Sequence, residues 1–450
     1  MVAIARLVNP RGDLFATAFA FSGQALIRLV SSLILTRILA PRAYGIIAIL
    51  TSIAYLVEMI SDVGGWVPLI RHPLGDEAKV YNTAWTIRFL RSFLNGTLLL
   101  ALAPAAASLY ASPTLTLPLR VMSLTFFIGS LESVSFPLAI RKRNARIIVY
   151  SELLATGIGG IFAIVYCLFS RTFWGVLYGI LVNRAVMTGV SYCFYRGNRP
   201  KLRYDKSAGR ELLSYSRFAI PSSLLTVSLS QFDKVVFLRF FNLTLLGIYG
   251  VASGISASVD GLIGKITQLV LYPRCAHNFR VEPDKFVEKY YRENVKLLAL
   301  LLLVPAAIGG AAPLLIRILY DSRYAMAGVI LQAFMIRAIL SALASAAESM
   351  LVASGESSLI LISNIYRVCW AFTMSLLGYF LFGFLGFVYG FSLSTLPKLA
   401  YYLVLQHRKG FMIPGFELQK VAAAAGTFAA TYIFSAGVMR YVPAIRIHFL

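Results

Sequence analysis

From Leu14 almost to the C-terminus, apolar runs of twenty or so residues alternate with short polar clusters. As a helix, each run is long enough to cross a hydrocarbon core of roughly 30 Å. The pattern predicts spans at 14–37, 43–69, 81–109, 114–139, 146–169, 173–195, 214–240, 245–272, 294–319, 325–353, 358–382 and 384–406, with a thirteenth at 418–439. The runs are continuously apolar rather than alternating, which excludes a membrane β-barrel. The expected fold class is an all-α polytopic membrane protein. The first run is too long for a signal-peptide core and lacks a cleavage site, so it is expected to be a retained span.

Assigning the loops alternately to two sides separates the charges. One side receives Arg6, Arg11, Arg71 and Lys79, the segment RKRNAR (141–146), RGNRPKLRYDKSAGR (196–210), a basic loop over 274–296 and HRKGFMIPGFELQK (407–420). The other side holds only Arg37, Arg42, Arg120, Arg171, Arg317, Arg323, Arg440 and Arg446. By the positive-inside rule the N-terminus and the basic loops are cytoplasmic.

The polar segment 199–213 divides twelve spans into two sixes. The expected domains are a six-helix bundle over 1–198, a linker over 199–213, a second bundle over 214–407 and an extra segment and tail over 408–450. At an offset of about 202 residues, Arg37 falls on Arg239, Gly45 on Gly247, Ile46 on Ile248 and Ile53 on Ile255. Six is an even number, so both halves start on the same side. The repeat is therefore parallel, a common plan in transporters with a substrate site between halves.

Composition sharpens this picture. The chain has 450 residues, 58% of them hydrophobic and 14% charged, and its mean hydropathy is +0.75. A net charge of +23 would suggest nucleic acid in a soluble protein. Here basic loops against anionic headgroups account for it, and no nucleic-acid partner is expected. The four cysteines lie in or beside apolar runs without CxxC spacing and read as small buried hydrophobes.

The charges inside the spans carry the candidate chemistry, because each costs roughly 2.5–3.5 kcal/mol near a helix centre. In the seventh span Ser223, Thr226, Ser230 and Asp233 share one helical face, with Lys234 beside it. In the first span Thr17, Gln24, Arg28 and Ser31 do the same. These stripes lie on corresponding helices of the two halves, where a cavity would be lined. The expected cavity set is Arg28, Arg37, Arg88, Asp233, Lys234, Arg239 and Arg337, with Asp233 and Glu58 as candidates for ion coupling. Glu132, Glu152, Asp260, Glu348 and Arg367 also fall within spans, whereas Arg91, Arg184, Lys265 and Lys398 lie near enough to span ends to snorkel. The alternative for Asp233 and Lys234 is a buried pair that locks a helix. A lumen of guanidinium and ammonium groups suits an anion, since guanidinium binds phosphate oxygens in pairs while staying charged.

Catalysis is not indicated. His72, His277, His407 and His448 lie at span ends or in loops without partners at useful spacing, and no Walker loop, GxSxG or HExxH occurs. No cofactor or metal is called for.

The order of LTRILAPRAYG (35–45), SDVGGWVPLIR (61–71), YNTAWTIRFLR (81–91), LAIRKRNARIIVYSEL (138–153) and FDKVVFLRFFNLTLLGIYGVA (232–252) resembles the polysaccharide-export branch of the multidrug/oligosaccharidyl-lipid/polysaccharide exporter superfamily. The resemblance runs over residues from about 13 to 410 and implies two six-helix bundles around a V-shaped central cavity. It implies flipping of a polyprenyl-pyrophosphate-linked oligosaccharide across the bacterial inner membrane, from the cytoplasmic to the periplasmic leaflet. It places cavity-lining charge at Arg28, Arg37, Asp233 and Lys234, and suggests a polysaccharide polymerase and a chain-length regulator as partners beside the membrane lipids. Relatives have twelve or fourteen spans, whereas this chain shows an unpaired thirteenth. The alternatives are a cation-coupled small-molecule or drug exporter of the same fold, expected to have an acidic or aromatic pocket, and a scaffolding member of an assembly complex.

Overall fold

A computed structural model of the chain describes residues 10–61, 66–110, 112–142, 146–193, 200–214, 233, 241–355 and 359–441. The apolar runs become helices: α1 (Pro10–Ile38), α2 (Pro41–Ile60), the short α3 (Val67–Arg71), α4 (Ala78–Leu109), α5 (Thr116–Ser130), α6 (Ser135–Arg141), α7 (Arg146–Ser170) and α8 (Trp174–Cys193). After the short linker helix α9 (Lys206–Ser214) come α10 (Leu243–Ile266), a π-helical turn (Thr267–Leu271) and α11 (Tyr272–Val281). They are followed by α12 (Phe286–Leu319), α13 (Ala327–Ala353), α14 (Leu359–Ser392), α15 (Leu396–Arg408) and α16 (Pro414–Tyr441). Among the described residues nine helical stretches are long and apolar enough to span a membrane, or ten if the bent pair α5–α6 is one span. Of the seventh expected span only Ser214 and Asp233 are described; Lys234 and Arg239 lie outside the described residues.

Three boundaries depart from the hydropathy reading. The second span ends at Ile60, and α3 forms separately with Pro68 in its first turn, where a missing amide proton costs nothing. The fourth breaks between Ser130 and Ser135 with a bend of 56°. The eleventh and twelfth meet at Gly383, whose φ of 64° and ψ of −142° interrupt α14. Glycine alone adopts that conformation without strain. The chain turns back there so closely that a Cβ on Gly378 would collide with the Gly386 carbonyl.

Contacts divide the chain into two units, Met1–Gly247 and Ile248–Leu450, the division falling inside α10. In the first unit α7 packs on α8 and α1, and α4 packs on α5. Gly159 and Gly179 let the backbones of α7 and α8 touch, the small-residue packing on which helices rely in lipid. The first turn of α10 meets α2 within this unit. A Cβ on Gly45 would strike the Leu243 carbonyl, and one on Gly247 the Pro41 carbonyl. At the sequence offset of 202, position 41 corresponds to 243 and position 45 to 247, so the Gly45–Leu243 contact maps onto the Gly247–Pro41 contact.

The linker is bound to the first unit through its backbone. The Lys201 amide donates to Asn82 Oδ1 at 2.8 Å, and the amides of Arg203 and Asp205 donate to Thr86 and Thr83 at 3.1 Å. The Asp205 carboxylate then caps α9, accepting from the amides of Ser207 and Ala208 at 3.0 Å. Those bonds, the Ser207 hydroxyl first, lower its pKa from 3.8 to about 2. A lowered carboxyl pKa stabilises the ionised form, so the contribution is present above 3.8 and disappears as the pH falls to about 2.

In the second unit α12 is held by α13 and α16, and α13 also packs on α15. Gly309 and Gly310 form the seat for α16: Ser435 Oγ donates to the Gly310 carbonyl at 3.1 Å. A Cβ on Gly310 would collide with Thr431 Oγ1 and the Phe428 carbonyl.

Gly310→Val should therefore cost about 1–3 kcal/mol through overpacking and loosen α16, read as a lower melting temperature and faster proteolysis at 409–413. Unchanged proteolysis would mean that α16 is not seated on this glycine pair. Asp205→Ala should speed amide exchange at Ser207 and Ala208 severalfold at neutral pH, measured by hydrogen-exchange mass spectrometry. In the unmodified chain the same acceleration should appear only as the pH falls below about 4 toward 2.

Candidate functional site

The break between α5 and α6 places a carboxylate inside the first unit. Trp85 Nε1 donates to the Glu132 carbonyl at 2.9 Å, and the Ser133 amide donates to Ser191 Oγ at 2.9 Å. Thr188 Oγ1 donates to the Ile128 carbonyl at 3.2 Å, so the break is tied to both α4 and α8. Glu132 Oε2 then accepts from Arg88 at 3.1 Å and lies 3.3 Å from Arg184 Nη1. The carboxylate is only 7% exposed. Arg184 lies over Gly129, where any side chain would collide with the guanidinium. Arg88 stacks 4.4 Å from the Trp66 ring centre, and its buried Nη1 has no hydrogen-bond partner among the described residues. Two guanidiniums share one carboxylate, leaving one surplus positive charge.

The second unit builds a longer series. Asp260 on α10 accepts from Arg337 on α13 at 2.9 Å, and Arg337 also donates to the buried Ser256 hydroxyl at 3.1 Å. Phe334 and Phe391 flank the guanidinium, their ring centres 4.9 and 5.4 Å away. Arg367 on α14 lies within electrostatic range of Arg337, Asp260 and Glu348. Its Nε and Asp260 Oδ1 are buried without hydrogen-bond partners among the described residues. Glu348 Oε2 accepts from Lys398 at 2.8 Å and from Tyr402 at 3.0 Å. Lys398 also reaches Asn364 Oδ1 at 3.3 Å. Three cations face two carboxylates, so a positive charge is again in excess. Beside Glu348 a cavity of about 290 Å³ opens between the π-helical turn, α13 and α14.

Of the expected cavity residues, Arg88 and Arg337 enter these clusters. Arg28, Arg37 and Glu58 are exposed, and Asp233 is buried. The polar stripe on α1 is partly used inside its own bundle: Gln24 donates to Thr156 on α7 at 3.3 Å, and Ser31 sits against Gly160. Those two groups bind α7, a correction to their placement on a cavity wall. Arg184 and Lys398, expected to snorkel, are instead held by Glu132 and Glu348. At the offset of 202, Glu58 corresponds to Asp260; the Asp260 carboxylate accepts from Arg337, and the Glu58 carbonyl accepts from Arg91 at 3.4 Å. The sequence shows Glu132 and Glu348 as intramembrane charges, but their partners come from other helices and carry no shared spacing. No group of His, Cys, Asp and Glu able to hold a metal occurs among the described residues.

Removing one partner of a buried ion pair leaves an uncompensated charge, at a cost of about 3–5 kcal/mol, whereas replacing a whole cluster by apolar residues is far milder. Glu132→Ala should therefore lower the melting temperature more than the combined Arg88→Leu, Glu132→Leu and Arg184→Leu change. The reverse order would show that the guanidiniums are solvated independently of Glu132.

Residues 34–328 match the family described as polysaccharide biosynthesis protein. A succinoglycan biosynthesis transport protein, ExoT of Rhizobium meliloti (strain 1021), is 24% identical over 251 residues, covering 55% of this chain and 50% of that protein. The chain thus spans about half the length of this relative. The amylovoran biosynthesis protein AmsL of Erwinia amylovora is 20% identical over 283 residues, 62% of this chain and 72% of that protein. Among solved structures the lipid II flippase MurJ in an inward closed conformation matches with a TM-score of 0.69 at 12% identity, covering 96% of this chain and 99% of that one. An inward-facing multidrug resistance MATE transporter matches with a TM-score of 0.63 at 15% identity, covering 89% and 95%. These likenesses give the fold. The chain belongs to the polysaccharide biosynthesis protein family.

Proposed function

We propose that this chain is a flippase that moves a polyprenyl-pyrophosphate-linked oligosaccharide from the cytoplasmic to the periplasmic leaflet of the bacterial inner membrane, for surface polysaccharide synthesis. The observation that carries the reading is the surplus of cations over carboxylates in both intramembrane clusters, around Arg88–Glu132–Arg184 and around Arg337–Arg367–Lys398. Each cation is expensive in hydrocarbon. Carboxylates that only partly neutralise them leave guanidinium donors for a pyrophosphate, which they bind in bidentate fashion. The relatives named for succinoglycan and amylovoran biosynthesis support a sugar-bearing cargo. The lipid II flippase supports the fold for a lipid-linked one. Flipping makes and breaks no covalent bond, so in this reading the protein is a transporter rather than an enzyme.

In this reading the N-terminus and the basic segments 141–146, 196–213 and 274–293 face the cytoplasm, following the charge asymmetry. The bundles 1–198 and 214–407 are the two halves of a parallel repeat, joined by 199–213 and followed by the extra segment 408–450. The reciprocal Gly45–Leu243 and Pro41–Gly247 contacts, which map onto each other at the offset of 202, support that repeat. Arg28, Arg37, Asp233, Lys234 and Arg239 contribute to the substrate path, and Asp233 and Glu58 are candidates for ion coupling. A polymerase and a chain-length regulator are the partners that receive the flipped unit. The MATE likeness keeps an exporter of small cations as the competing reading, but the basic surplus repels such a cargo.

The test is complementation of a flippase-deleted polysaccharide producer. Exchanging Arg337 and Asp260 together for Met and Leu should leave the protein in the membrane while cutting polymer export at least tenfold. Full export at normal protein level would remove that pair from the substrate path.

A further inference from the structure

The cavity beside Glu348 sets a group of polar side chains into a wall that also carries Gly264, Val352 and Ile360. Its polar lining is Thr267, Gln268, Tyr272, Ser345, Glu348 and Ser349, and its volume is about 290 Å³. The π-helical turn at Thr267–Leu271 shapes one side. Such turns displace the backbone from the regular ladder and often mark functional positions. Thr267 is 8% exposed, and its hydroxyl finds no hydrogen-bond partner among the described residues. Opposite, the Glu348 carboxylate is used on one side only: Oε2 takes both Lys398 and Tyr402, and no bond to Oε1 occurs among the described contacts. Tyr272 adds the one aromatic ring and is 40% exposed.

Volume and donor set together decide the ligand class. A bare cation needs several oxygens converging at roughly 2.3–2.6 Å, and a space of about 290 Å³ is far too roomy for that. A whole oligosaccharide is too large, since pockets for drug-sized ligands begin at about 300 Å³. A single sugar ring fits. Its hydroxyls both donate and accept, which matches serine and threonine hydroxyls, an amide and a carboxylate oxygen. Its axial C–H face suits a tyrosine ring. The Lys398 ion pair offsets the Glu348 charge, but an acidic sugar would still meet the carboxylate.

We infer that this cavity is a subsite for one neutral pyranose ring, with Thr267, Gln268, Ser345 and Glu348 as its hydrogen-bonding groups. The inference rests on the flippase reading for the origin of the sugar. The cavity lies near the end of α10, the end of α13 and the start of α14, the side that the charge asymmetry assigns to the cytoplasm. It would therefore hold a sugar of the cargo before translocation.

Saturation-transfer NMR on the full-length protein in nanodiscs tests this with the methyl β-glycosides of glucose and galactose, and with methyl β-glucuronide as the acidic comparator. Transfer to ring protons of at least one neutral glycoside is expected, with at least fivefold less to the glucuronide. Thr267→Val, Gln268→Ala and Ser345→Ala should each reduce the neutral signal at least threefold. Thr267→Val should do so without lowering the melting temperature, because the replaced hydroxyl has no partner to lose. No transfer from wild-type protein, or transfer that survives all three substitutions, overturns the inference. Stabilisation by sodium over choline chloride that Thr267→Val abolishes, without sugar transfer, would overturn it in favour of a cation site. Failure of the flippase reading is seen separately, as wild-type protein that does not translocate a lipid-linked oligosaccharide in proteoliposomes.

Discussion

A charged side chain inside a bilayer needs a partner, and the described intramembrane clusters of this protein meet that need with too few carboxylates. Glu132 serves Arg88 and Arg184; Asp260 and Glu348 serve Arg337 and Lys398, with Arg367 beside them. This is a costly arrangement if stability is the only aim, because apolar residues of similar size would do as well or better. It makes sense when the missing negative charge arrives with a substrate. Arg88 Nη1 and Arg367 Nε, buried without described hydrogen-bond partners, are donors of the kind such a substrate would satisfy.

The scaffold exists to hold those few groups in place. Helices in lipid gain little from the hydrophobic effect and rely on close packing instead. That is why backbone meets backbone at Gly159–Gly179, Gly378–Gly386 and Gly310–Phe428. Interruptions of regular helix coincide with chemistry. The bend between α5 and α6 delivers Glu132, and the π-helical turn shapes the cavity beside Glu348. The linker follows another logic: its amides bind Asn82, Thr83 and Thr86, so it is fixed to α4 while the side chains of Lys201, Arg203, Lys206 and Arg210 remain exposed.

Much of this fold is legible in the sequence, because hydrocarbon thickness sets run length and every backbone amide must be satisfied within a helix. The runs at 81–109, 146–169 and 325–353 match α4, α7 and α13 within a few residues. Breaks within a run are harder to see. Ser130–Ser135 (SLESVS) is a polar patch too short to separate the apolar runs on either side of it, and at Gly383 a single residue turns the chain with no polar loop. The site was partly legible for the same reason. An intramembrane charge is conspicuous, so Arg88 and Arg337 could be singled out, but pairing depends on which helices touch. Helical spacing put Gln24 and Ser31 on one face correctly without revealing that this face meets α7.

The central claim is that surplus positive charge in the membrane serves an anionic, lipid-linked cargo. Its most direct test is translocation of a polyprenyl-pyrophosphate-linked oligosaccharide by the purified protein in proteoliposomes under an imposed membrane potential. Moving the pyrophosphate outward from a negative interior gains about 2.3 kcal/mol per charge per 100 mV. The account predicts that an inside-negative potential quickens flipping even without an ion gradient. Flipping that ignores the potential but follows a proton or sodium gradient would contradict it and make a carboxylate-coupled antiporter the better description.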